Sequence, residues 1–154
     1  MSLDLWLHFL HVVSAMVWVG GGVILSLIAI RTRRSSDQRA MSEFARTLPY
    51  VGLRVLMPAV IILPVTGVWL VLADSEFSFS QLWVRLGLGL FVLAFLLGAV
   101  YLSRVGIQID REARQDSGGT SNLPRLLDRW LVGYGAVLVV LLIAVWDMVF
   151  KPVV

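Results

Sequence analysis

Four apolar stretches separated by short polar segments dominate the pattern of the chain, at roughly residues 5–30, 50–73, 82–109 and 130–150. Each is long enough for an α-helix rising 1.5 Å per residue to cross about 30 Å of hydrocarbon. None alternates strictly, as a membrane β-strand would, and within lipid a lone segment satisfies its own backbone only as a helix. The pattern predicts an all-α transmembrane four-helix bundle forming a single domain. The first stretch reads as a retained anchor and not a cleaved signal peptide. Its apolar run is long, Asp4 stands where a basic residue belongs, and Gly20, Gly21 and Gly22 are followed by more apolar sequence.

Composition strengthens the membrane reading. Of 154 residues, 58% are hydrophobic and 15% charged, against about 45–50% and about 25% in soluble domains. A soluble domain of this length leaves too much surface in water to hide so many apolar side chains. The net charge of +3 arises in two short segments without interleaved aromatics, so nucleic-acid recognition is not supported. The absence of cysteine excludes disulfides, thiolate metal sites, iron–sulfur clusters and c-type haem attachment.

Charge also orients the spans. Arg31, Arg33, Arg34, Arg39 and Arg46 follow the first stretch, and Arg104, Arg111, Arg114, Arg125 and Arg129 surround the third connection. The second connection carries Asp74 and Glu76 and no basic residue. By the positive-inside rule both arginine loops are cytoplasmic, with both termini outside, in the multi-pass arrangement of a bacterial-type plasma membrane protein. Lys151 is the exception. Trp6, Trp69, Trp83 and Trp146 would form an outer aromatic belt and Trp130 an inner one. The Gly- and Ser-rich residues from Asp116 to Asn122 read as a flexible connection.

Ionisable residues inside spans are costly and mark candidate sites. They are His8, His11, Arg54, Arg85 and Asp147. Arg54 lies near the arginine end and reads as an interfacial anchor. The other four form one polar cluster near the end that carries the termini. His8, His11, Ser14 and Trp18 share a helix face with the small residues Ala15, Gly21 and Gly22. His11 admits two readings, an interhelical hydrogen bond or a metal ligand to haem iron or copper. Zinc lacks acidic or thiolate partners at that depth. Copper(I) would accept His8, His11 and Met148. Ser14 has no orienting acid and does not read as a nucleophile. Pro58 and Pro64, with Gly67, predict a bent second helix. Arg85 and Asp147 could form an ion pair between the third and fourth helices.

Leu10-His11, Trp18 seven residues after the histidine, and Gly20-Gly21 resemble the first helix of three groups. These are the HemJ-type membrane protoporphyrinogen IX oxidases, the copper-resistance protein D family, and an uncharacterised branch of predicted four-helix integral membrane proteins. Arg54, Leu56-Met57-Pro58-Ala59 and Gly67-Val68-Trp69-Leu70 resemble the oxidase pattern of Arg, Met-Thr-Pro-Ala and Gly-Leu-Trp-Leu, and Phe150-Lys151-Pro152 resembles its terminal Val-Lys-Pro. In overall texture the uncharacterised branch is the most similar of the three.

The resemblance implies a haem b protein with His11 as iron ligand and Trp18, Gly67 and Arg85 about the cofactor. Arg85 would meet a haem propionate, with Gly87 and Gly89 admitting the macrocycle. His8 and His11 lie side by side, so both cannot bind one iron from opposite faces. Met57 lies too deep to pair with His11, and Met148 is nearer. The oxidases carry Lys where this chain has Arg85 and a further His in the third helix. Their last helix opens with Phe-Asn-Glu, replaced here around Trp130. Haem binding therefore carries over further than catalysis. The functions that follow are a redox or electron-transfer haem b protein, an oxidase-like enzyme, a copper-handling protein, or a non-catalytic subunit of a membrane complex. Its partners would be the lipid bilayer, a second copy of the chain or a redox protein.

Overall fold

A computed structural model of the chain describes residues 3–73, 77–115 and 122–152. Asp74, Glu76 and the connection from Asp116 to Ser121 lie outside the described residues. Among those described, the secondary structure is four helices: α1 (Leu3–Ser35), α2 (Gln38–Ala73), α3 (Leu82–Arg114) and α4 (Leu123–Phe150). All four are long and apolar enough to cross a membrane. His8 near the N-terminus and Lys151 near the C-terminus border the same cavity, so both termini lie at one end of an antiparallel bundle. The arginines gather at the other. Large apolar side chains cover the outside, with Val132 74% and Leu72 71% exposed, as a lipid-facing surface requires.

The helices run further than the apolar stretches. At 1.5 Å per residue, the 36 residues of α2 span about 54 Å, well beyond the ~30 Å hydrocarbon layer. The predicted first arginine loop is almost entirely helical. Its only break is Ser36 and Asp37: Ser36 takes a left-handed conformation (φ 55°), and Asp37 caps α2 by accepting the Arg39 N–H at 2.9 Å. Met41, Phe44, Ala45 and Leu48 then recur at helical spacing on one buried face of α2. Val105, Ile109 and Ala113 do the same on α3, and Leu123, Leu127 and Trp130 on α4. Together these faces form a dry core at the arginine end. Trp130 is 3% exposed and packs against Phe44 and Tyr134, so it belongs to that core and not to an inner aromatic belt.

Two widened turns interrupt the long helices. In α2, Gly52–Leu56 is one π-helical turn that ends just before Met57 and Pro58. Proline has no N–H and its ring crowds the carbonyl four residues back, and a wider turn relieves both. In α3 the π-helical turn Leu97–Leu102 carries Tyr101. A Cβ on Gly133 of α4 would collide with the Tyr101 ring, and one on Gly22 of α1 with the Tyr134 ring. Small residues thus seat aromatic rings from neighbouring helices.

α1 packs along the membrane part of α2 and also along α4, and α3 packs on α4. The beginning of α2 packs closely on the end of α3 near the arginines, but the two scarcely touch at the termini end. α2 and α3 therefore diverge towards the termini.

Candidate functional site

The divergence opens a cavity of about 380 Å³, walled almost entirely by apolar groups from all four helices and by Phe77 and Phe79. Its floor is aromatic. Phe91 lines the cavity, and Trp18 meets it edge-on with ring centroids 5.9 Å apart. Trp18 itself is 5% exposed and does not line the cavity, so it braces the floor from below.

His11 enters this wall from α1. Its Nδ1 lies 2.9 Å from the Leu63 carbonyl oxygen and 3.1 Å from Thr66 Oγ1, both on α2. The Thr66 hydroxyl donates to the Ile62 carbonyl at 2.8 Å, one turn back along its own helix. A backbone carbonyl accepts only, and Thr66 has already directed its proton elsewhere, so Nδ1 carries the hydrogen and donates to both. The lone pair is thereby fixed on Nε2. Gly67 makes the arrangement possible, since a Cβ there would lie 2.9 Å from His11 Cε1. Gly67 accommodates the imidazole more directly than it accommodates a ligand.

His8 borders the same cavity one turn nearer the terminus, where its Nδ1 is tied to the Asp4 carbonyl at 3.0 Å. Met148 reaches it from α4. Met57 does not line it and is 41% exposed on another face. Pro64 and Gly87 are in the wall; Gly89 is outside it and faces open space. Ser14 is buried away from the cavity. Arg54 is exposed, with its guanidinium over the Tyr50 ring at 5.7 Å, in keeping with an interfacial anchor.

The expected Arg85–Asp147 pair does not form. Arg85 is exposed and lies outside the cavity wall, whereas Asp147 is 1% exposed and packs towards Gly87, whose Cβ would sit 3.4 Å from Asp147 Oδ2. No side chain among the described residues pairs with the Asp147 carboxylate, whose nearest polar neighbour is the Gly87 backbone. Residues 85 and 87 are two apart on a helix and so point about 160° apart, which separates the guanidinium from the acid that faces residue 87.

Lys151, and not Arg85, is the cation that borders the cavity. It ends α4 in a left-handed conformation (φ 42°), its N–H bonded to the Asp147 carbonyl at 2.8 Å. Its ammonium stands 4.5 Å from the centroid of Phe77 and 5.2 Å from that of Trp83. All three line the cavity. In the sequence Lys151 stands out as an exception to the charge rule and within Phe150-Lys151-Pro152, and neither signal alone places it beside a cavity. Thr66, a lone hydroxyl two residues after Pro64 in an apolar span, was the corresponding signal on α2.

The site is thus an apolar chamber with two imidazoles, each held through Nδ1 by a backbone carbonyl, one thioether and a cation at the rim. No curated protein and no solved structure shows a significant match to the chain. Residues 5–152 match the family model described as predicted integral membrane protein (DUF2269), which spans all four helices. The chain therefore belongs to the DUF2269 family of predicted integral membrane proteins.

Proposed function

We propose that the protein binds haem b in the cavity at the termini end, with His11 Nε2 as iron ligand, and serves a redox or electron-transfer role in the membrane. The observation that carries this reading is the commitment of His11 Nδ1 to Leu63 and Thr66. An imidazole that ligates a metal through one nitrogen characteristically donates its other N–H to a carbonyl or similar acceptor, which fixes the ring and raises its basicity. The donor set suits the group: an apolar wall for a macrocycle, an oriented imidazole, and Lys151 at the rim to meet propionates. Met148 is the thioether available from α4. The resemblance to HemJ-type oxidases and to the copper-resistance protein D family supports the same placement at His11. Bound haem supplies one-electron chemistry; the chain's own residues orient the imidazole, exclude water and hold the acidic edge. In this reading the membrane is a bacterial-type plasma membrane, with the arginine end in the cytoplasm.

A second reading rests on His8, His11 and Met148 all bordering one cavity, the soft donor set that copper(I) accepts. The optical spectrum of detergent-purified protein separates the two. Haem gives a Soret band with reducible α and β bands, lost in His11→Ala and retained, with shifted maxima, in His8→Ala. Undiminished haem in His11→Ala overturns the assignment. Stoichiometric copper without a Soret band selects the second reading.

A further inference from the structure

At the opposite end, α3 and α4 enclose a polar cleft of about 390 Å³ lined by Arg111, Glu112, Asn122, Arg125 and Arg129, among others. Of the described acids around it, two are paired with arginines and the third, Glu112, is hydrogen-bonded to backbone. Asp128 accepts from Arg33 Nε and Nη2 at 3.1 and 3.3 Å, Asp110 pairs with Arg114 at 2.9 Å, and Glu112 accepts the Asn122 backbone N–H at 2.9 Å. Arg111, Arg125 and Arg129 form no ion pair among the described residues. Arg125 and Arg129 stand one turn apart on α4, a spacing at which like charges repel, and Arg111 borders the same cleft from α3. Among the described residues, three guanidinium groups around one concavity face the single carboxylate of Glu112, and that surplus of positive charge is an arrangement that an anion stabilises.

The depth of the cleft indicates which anion. Arg129 directly precedes Trp130 and the apolar run of α4, and Arg111 lies on the amphipathic extension of α3, beyond Ser103 and Arg104 where its apolar run ends. Arg129 therefore sits where hydrocarbon gives way to headgroups, and the cleft extends outward from it, within reach of lipid phosphates. Guanidinium forks match phosphate oxygens in pairs and keep their charge when partly desolvated.

We propose that this cleft is a binding site for a phosphate group, supplied by the headgroup of an anionic phospholipid in the adjoining leaflet. The site is independent of the cavity at the termini end.

The test uses the full chain reconstituted in phosphatidylcholine vesicles, with trace spin-labelled phosphatidylglycerol or phosphatidylcholine and the protein-immobilised fraction read by electron spin resonance. The wild type is expected to prefer phosphatidylglycerol by about fivefold or more, since one basic group near the surface contributes about that factor. The preference disappears in Arg111→Gln/Arg125→Gln/Arg129→Gln. It persists in Arg31→Gln/Arg34→Gln/Arg39→Gln, which removes the same charge from exposed positions outside the cleft. The single change Arg125→Gln, at an exposed position, gives a partial loss. Equal loss in the two triple variants, or loss in neither, overturns the site. Displacement of the labelled lipid by millimolar inorganic phosphate assigns the cleft to a free phosphate compound and overturns the lipid source.

Discussion

At the arginine end, Ile109, Leu123 and Leu127 are fully buried, while at the termini end Gly67, Gly87 and Leu88 face a cavity of about 380 Å³. The same four helices build both. The difference follows from the surroundings each end is built for. Beyond the hydrocarbon layer, apolar faces such as Met41, Phe44 and Leu48 are driven together by water, as in a soluble bundle. Within the layer lipid is as apolar as leucine, so helices associate through close packing and a few hydrogen bonds, and a gap between two of them carries a smaller penalty. A rigid end can hold the helices in register while the other stays open for a ligand.

The largest expected effect breaks that comparison most directly. Leu127→Ala removes a fully buried side chain and should cost about 2–5 kcal/mol, the usual range for large-to-small core substitutions. Leu88→Ala, at a position 44% exposed in the cavity wall, should cost under about 1 kcal/mol. Unfolding in mixed detergent micelles measures both. Equal costs would mean that the two ends are packed alike.

How much of this was legible follows the same division. The four spans were readable because twenty-odd apolar residues in a row leave the backbone few alternatives. The shared face of His8 and His11 was readable from their spacing of three. The helical extensions were missed because the arginines between residues 31 and 49 hid a buried stripe of Met41, Phe44, Ala45 and Leu48. The divergence of α2 from α3 was not readable, because it depends on how the arginine end packs. For the same reason the sequence could not tell that Lys151 borders the cavity and Arg85 does not. Both lie near one boundary, and only the turn at the end of α4 sends Lys151 to the cavity rim.

Next in size is Gly67→Ala. Its Cβ would meet the His11 ring at 2.9 Å, and either the ring or α2 must move. Overpacking of this kind typically costs about 1–3 kcal/mol. It should also break the hydrogen bond from His11 to Leu63 and lower haem occupancy, whereas Gly89→Ala, which faces open space, should change neither. Full haem content in Gly67→Ala, with an unshifted Soret band, would detach the cofactor reading from this imidazole.

Smaller still is the effect of exchanging the two cations at the termini end. Lys151→Met should weaken haem retention by up to about tenfold, the scale of one modest charged contact near 1.4 kcal/mol. Arg85→Met, outside the cavity wall, should leave it unchanged. Titration of apoprotein with haemin compares them; the reverse order would restore Arg85 as the propionate partner.

The smallest effect sharpens the comparison from the arginine side. Arg33 and Asp128 join α1 to α4 through two hydrogen bonds, yet their side chains are 38% and 52% exposed. Water screens such a pair, and a double-mutant cycle of Arg33→Gln with Asp128→Asn should give a coupling of about 0.2–1 kcal/mol, shrinking with added salt. The dry core of Ile109, Leu123 and Leu127 lies inside that pair and does not depend on it, so each single variant should keep the melting transition of the wild type within a few degrees. A coupling several times larger, insensitive to salt, would show that charge pairing and not apolar packing closes the rigid end. The contrast with the open end would then rest on electrostatics.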